Sequence, residues 1–312
     1  MYKISYMVYN TLIIYIHRWF IMLKNNSKTL KLLTIPILVL FILGLIFKLN
    51  LKVTADNNLD KNFVEIHFID VGQGDCTLIK GNKINILIDS GSKLYKDKVI
   101  SYLKKENIKE IDLLVATHPH EDHIGSMSYI IDKFKIKTFY APKVKENTPC
   151  FYSMIKSLKN KDLKITPIKA LDKINLSEDL KCTILAPNSS NYNSLNNYSI
   201  VMKISFKNNS FLFTGDAESI SESEMLSKDL DLRADILKLG HHGSNTSSTE
   251  PFLKEVSPSI AIASCGKNNP FNHPSIKVVQ RLKKENIQFF RTDIDGDIVI
   301  YSNGKNLIRV YK

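Results

Sequence analysis

Residues 112–116 read DLLVA, an apolar run suited to a buried strand, and the chain leaves it directly into THPHEDHIGS at 117–126. Three histidines and two acidic residues crowd into the seven positions that start at His118. In an extended segment, positions i and i+2 point the same way. His118 and His120 can therefore present both imidazoles to one ion, with Pro119 stiffening the backbone between them. Asp122 and His123 are neighbours and cannot share a strand face. They suit a turn that opens into a helix near Gly125, aimed at a second ion. Imidazole combined with carboxylate favours zinc, manganese or iron over calcium or magnesium. Three histidines this close offer a metal-free loop little folding benefit, so the stretch reads as a metal site hung on the end of a strand.

The remainder must then be a fold that brings other strand ends to that place. From Phe63 onward, FVEIHFI, INILID, DLLVA, YSIVMKISF, SFLFTGD, DILKLG and AIAS read as strands. YKDKVISYLKKEN, SMSYIIDKF, AESISESEMLSK and PSIKVVQRLKKEN read as helices. Such alternation predicts a layered α/β domain with helices covering the sheets. PNSSNYNSLNN at 187–197 is a loop. Cys76, Cys150, Cys182 and Cys265 are scattered without a Cys-x-x-Cys pair, which argues against a thiolate zinc site and a disulfide framework alike.

Ahead of this domain, LLTIPILVLFILGLIF at 32–47 carries no charge. With its flanks it approaches the ~20 apolar residues that a membrane span requires. Lys24, Lys28 and Lys31 precede it, which by the positive-inside rule leaves the N-terminus in the cytoplasm and the later residues outside. The expected organisation is a membrane anchor over 1–53 with its transmembrane helix at about 32–50, a linker over 54–62 and one α/β domain over 63–312. A signal peptide cleaved near VTA at 53–55, or translation beginning at Met22, are the competing readings. The net charge of +12 does not name a polyanionic partner. Residues 1–53 hold seven bases and no acid, which leaves 36 bases against 31 acids beyond them.

Two histidines do not complete a metal site. Asp216 directly follows the strand-like FLFTG, where a carboxylate can bridge two ions or cap the next helix. DILKLG runs into the pair His241–His242, and His273 precedes a proline ahead of a predicted helix.

At this point the residues resemble a family. THPHEDHIGS is similar to the His-x-His-x-Asp-His signature of the metallo-β-lactamase superfamily. HFIDVGQGDC (67–76), ILIDSGS (86–92), FTGD (213–216), LKLGHHGSNTSS (237–248), NPFNHPS (269–275) and TDIDGDI (292–298) follow in the order of the extracellular domain of ComEC-type DNA-uptake proteins. The resemblance implies a four-layer αββα sandwich with its site at one edge and two divalent ions, Zn²⁺ or Mn²⁺. His118 and His120 would hold the first ion, and Asp122 and His123 the second, with Asp216 between them. The last ligand of the second ion would come from the histidine pair, with His241 preferred and His242 open. Asp89 would orient a ligand. Asp70, Gln73 and Asp75 would build the glycine-rich loop or touch substrate, while Lys238, His242, Ser244 and His273 would hold a phosphate or move a proton.

The chain departs from many superfamily members in having no histidine between His123 and His241. Asn196 or Asn197 stands in that region, with Asn197 taken as the candidate, so the first ion is expected to bind weakly. Activated water at paired ions attacks esters, amides and phosphodiesters alike. The resemblance favours a phosphodiesterase or nuclease acting on single-stranded DNA outside the membrane, beside a separate uptake channel. Hydrolysis of another ester (choline phosphoester, sulfate ester or lactone) and a non-catalytic, tethered metal-binding protein are the alternatives.

Overall fold

In the computed structural model, residues 63–81 and 83–311 are described. The anchor and linker read from the sequence lie outside them. No helix among the described residues is long and apolar enough to cross a membrane.

Two sheets make up the centre. The first contains β1 (Val64–Phe68), β2 (Thr77–Gly81), β3 (Ile84–Ile88), β4 (Glu110–Val115), β5 (Lys135–Ala141) and β6 (Ile165–Pro167), with β14 (Ile298–Ser302) and β15 (Leu307–Val310) beyond β1. The second runs from β7 (Lys173–Asn175) through β8 (Leu180–Ala186), β9 (Val201–Phe206), β10 (Asn209–Phe213), β11 (Ile236–Lys238) and β12 (Ile260–Ala263) to β13 (Gln288–Arg291).

Side-chain alternation along the strands divides the apolar residues into three cores, and three cores between layers mean four layers. Ile86 and Ile88 of β3, Leu113 and Val115 of β4, Phe211 and Phe213 of β10 and Ile262 of β12 meet in the gap between the sheets. The intervening Leu87 and Leu114 turn outward and pack under α1 (Lys96–Lys105), α2 (Glu121–Ile124), α3 (Met127–Lys133) and α4 (Pro149–Asn160). Leu212, Leu237 and Ala261 face the other way, beneath α5 (Ser219–Ser227), α6 (Glu250–Val256) and α7 (Ile276–Lys284). The expected αββα sandwich is thus present among the described residues. These strands read as unbroken apolar runs because both of their faces are covered.

Strand direction places the site. β3 runs parallel to β4 and β4 to β5, while β10, β11 and β12 run parallel in the other sheet. Asp89 follows β3, the histidine cluster follows β4, Asp216 follows β10 and the histidine pair follows β11. All four segments leave carboxyl ends of parallel strands, at one edge of the sandwich.

Candidate dinuclear metal centre

His118 is fully buried, and its Nε2 lies 2.9 Å from His120 Nδ1. With Asp216 they form a group whose ligand atoms lie within 4.8 Å of one another. The two nitrogens face each other because residues 118–120 leave the strand extended, with His120 at φ −67° and ψ 150° before the chain turns into α2. The i, i+2 reading of these two rings matches the geometry. Thr117 Oγ1 and Ser199 Oγ lie 3.2 and 3.3 Å from His118 Nδ1 and hold the ring from behind.

The second group contains His123, His242 and Asp216, with Asp122 at its mouth. His123 Nδ1 donates to Asp89 Oδ2 at 2.8 Å, which makes Nε2 the nitrogen that would face a metal. His242 Nδ1 donates to the Ser264 carbonyl at 2.9 Å, and its Nε2 lies 3.0 Å from Asp122 Oδ2 and 3.4 Å from Asp216 Oδ2. Asp216 stands between the groups, with Oδ1 3.2 Å from His123 Nε2 and Oδ2 3.8 Å from His118 Nε2. His123 Nε2 and Asp216 Oδ1 are both buried without a hydrogen-bond partner. Orphaned polar atoms are costly in an interior, and a divalent ion between them would satisfy both. The donor set therefore fits metal.

Electrostatics points the same way. Burial disfavours charge on His123 and His242, yet Asp216, Asp89, Asp75 and Asp122 outweigh it and hold both rings well above the ordinary histidine range. Burial likewise opposes ionisation of Asp216, but the two rings keep its carboxyl well below the usual value. The centre of this carboxylate ring demands positive charge. His118 behaves oppositely, since burial and the neighbouring His123 drive its pKa well down and keep it a neutral donor.

The histidine pair requires a correction. His241 was the preferred ligand as the first of the two, but it is His242 that is buried within the donor group. Residues Gly240–Gly243 form a tight turn in which His241 and His242 both take left-handed backbone angles, φ 48° and 57°. Such angles cost about 1–3 kcal/mol each and persist where the surroundings enforce them. The turn swings His242 inward, while His241 stays at the rim with Nδ1 3.0 Å from Thr246 Oγ1 and 3.4 Å from Glu218 Oε1. His241 Nε2 approaches Asp216 Oδ2 only to 3.9 Å.

A match over residues 69–267 to the sequence pattern of the Metallo-beta-lactamase superfamily accompanies this geometry. The chain belongs to the metallo-beta-lactamase superfamily. It is 32% identical over 266 residues to ComE operon protein 3 of Bacillus subtilis, covering 79% of this chain and 34% of that protein. Recombination protein 2 of Haemophilus influenzae is 30% identical over 282 residues, covering 89% and 32%. Competence protein ComA of Neisseria gonorrhoeae is 28% identical over 229 residues, covering 73% and 30%. The chain thus spans about a third of the length of these relatives. Its fold resembles that of the metallo-beta-lactamase fold protein YhfI of Bacillus subtilis, with a TM-score of 0.52 at 13% identity over 77% of this chain and 100% of that one.

Several other residues of this superfamily member take clear positions. Asp89 is fully buried and accepts from Thr117 N at 2.8 Å and Thr117 Oγ1 at 2.7 Å as well as from His123. There it would hold the His123 ring in one orientation, the role that the resemblance implies for it. Asp89→Ala is expected to weaken metal binding about 10–100-fold, read by titrating metal into the apo protein. Asp75 also lies near the second group, but its oxygens face Nδ1 of His123 and His242 and the ammonium of Lys238, so it sits behind the rings.

Lys238 also departs from its expected place at the rim, because its ammonium is buried. It shares the inward face of β11 with Ile236, is 2% exposed, and pairs with Asp75 while donating to the Gly215 carbonyl at 3.1 Å. Breaking a buried pair strands one charge, so Lys238→Met is expected to destabilise the protein by about 3–5 kcal/mol in chemical denaturation.

Asn197 gives way to Asn196. The Asn197 Oδ1 accepts from Glu218 N at 3.1 Å near the start of α5, whereas the Asn196 Oδ1 is buried and unpaired, on a side chain whose Nδ2 lies 3.4 Å from His241 Nδ1. Asp70 braces its own loop through Gly72 N and Lys98. Gln73 binds Gly266 N through Oε1 and approaches His273 Nδ1 to 3.5 Å. Ser244 Oγ accepts from Thr246 at 3.1 Å and fixes the turn below His241. His273 stands half-buried at the rim, its pKa brought down to about 4 by burial and by His242 and His241. A ring so hard to protonate is a poor acid near neutral pH, which counts against its protonating a leaving group.

Gly74 lies beneath the site at φ +139°, where a β-carbon would collide with the Asp122 carbonyl. The loop can support the Asp122 turn this closely only through a glycine. Thr117, Ser199, Glu218 and Ser264 were not singled out from the sequence. Of these, Thr117 carried a signal, as the residue directly before the first histidine.

Proposed function

We propose that this chain is a membrane-anchored, metal-dependent phosphodiesterase whose substrate class is single-stranded DNA outside the membrane. One observation carries the reading. Two donor groups share Asp216 over a buried floor, while His120, Asp122, His241 and His273 leave the rim open to solvent. Divalent ions held by His118, His120, His123, His242 and Asp216 would supply Lewis acidity toward water and a phosphodiester. Around them, Asp89, Ser264 and Ser199 keep the rings aimed, and His273 and His241 border the approach. Relatives named for competence and for recombination, two processes that handle DNA, support a nucleic-acid phosphodiester over other esters.

The anchor over 1–53 would hold the domain outside the membrane, beside a separate uptake channel. Protease added to intact cells should digest the domain, and a protected domain would contradict this topology. For the chemistry, the full chain in detergent is incubated with labelled single-stranded DNA and Mn²⁺ or Zn²⁺. Cleavage should depend on metal and disappear in Asp122→Ala and His123→Ala. Activity surviving both changes contradicts the assignment.

A further inference from the structure

Phe271 is 62% exposed, yet it is held in a well-braced loop. Asn269 pins that loop four ways: Oδ1 accepts from Phe271 N at 3.2 Å and His273 N at 2.9 Å, and Nδ2 donates to the Gly266 and His273 carbonyls at 2.8 and 2.6 Å. Ser275 N donates to the Gly243 carbonyl at 2.9 Å, which ties the loop to the turn that carries His242. The Phe271 ring stacks on His273 with centroids 5.6 Å apart and planes 27° apart. His273 in turn lies 6.2 Å from the His242 ring at 30°, so the planes step outward from the metal group toward solvent. Lys267 and Lys277, four residues before and six residues after Phe271 in the chain, are exposed.

We infer that Phe271, backed by His273, is a stacking platform for a nucleobase flanking the phosphate held at the metal centre. The inference rests on the phosphodiesterase reading and adds the element that distinguishes a nucleic acid from a simple diester. An exposed aromatic on a cationic surface is how single-stranded nucleic acid is held without sequence preference, since every base offers a π-face while basic side chains track the backbone. The loop is already ordered, so little freedom is lost when a base arrives. A single ring is too small an apolar surface to anchor a protein partner by itself.

Base–aromatic stacking corresponds to roughly 5- to 150-fold in affinity. The test uses the full chain in detergent with Mn²⁺ and two labelled substrates, a thymidine oligonucleotide and the same backbone with abasic residues. The wild type should show a KM about tenfold lower for the oligonucleotide that carries bases. Phe271→Ala should lose that preference by raising KM for the base-bearing strand, and Phe271→Trp should restore it. Metal content matching the wild type shows that the centre is intact in each variant. Wild-type KM and preference in Phe271→Ala overturn the platform and leave the phosphodiesterase standing. Failure of the wild type to cleave either oligonucleotide overturns the phosphodiesterase reading, and the platform with it.

Discussion

Replacing Asp216 with alanine is expected to leave neither metal position properly filled and to lower hydrolysis by more than about a hundredfold, beyond the range of changes that only orient ligands. The reason is its place between the groups. Its Oδ1 is 3.2 Å from His123 Nε2, and its Oδ2 is 3.8 Å from His118 Nε2 and 3.4 Å from His242 Nε2. No other carboxylate among the described residues is shared by both metal-compatible groups of the centre. Deleting it removes one of three donors from the first group and takes the anionic centre from the second. Metal analysis of the dialysed protein, with hydrolysis of a chromogenic phosphodiester, reads both effects. Two ions retained at wild-type affinity would contradict the shared role.

The second large effect separates adjacent residues. His242→Ala should lose the ion of the second group and most activity, whereas His241→Ala should keep both ions. His242 offers a buried Nε2 whose opposite nitrogen is fixed by the Ser264 carbonyl. His241 is partly exposed and occupied with Thr246 and Glu218. Metal content of the two purified variants decides between them, and the reverse pattern restores His241 as the ligand.

The parts of the site legible in the sequence are those that depend on strand geometry alone. His118 and His120 share a direction because the segment is extended, and Asp89 and Asp216 stand where apolar strands end. The histidine pair was not legible, because the choice between its members depends on two consecutive left-handed residues, and a non-glycine residue with positive φ is uncommon even among histidines. Lys238 was misread for a related reason. A lysine beside a metal loop suggests phosphate, but its parity with Ile236 puts it on the inward face, where Asp75 awaits it. Asn196 and Asn197 both donate to the Glu218 carboxylate and differ in their amide oxygens, since that of Asn197 accepts from Glu218 N and that of Asn196 has no partner.

In the fold, the strands noticed were those buried on both faces, such as INILID and SFLFTGD. LKCTILA, KIKTFYA and IVIYS became β8, β5 and β14 without having been marked. KIKTFYA carries two lysines and has a broken apolar run, since the first half of β5 is largely solvent-facing. Sequence periodicity detects burial more readily than it detects pairing.

Two ions binding side by side across Asp216 would be visible by anomalous diffraction from crystals grown with Mn²⁺ or Zn²⁺. Two peaks are expected about 3.5–4 Å apart, one between His118 and His120 and the other between His123 and His242, with Asp216 touching both. A single peak, or a second ion held by His241 in place of His242, would contradict it.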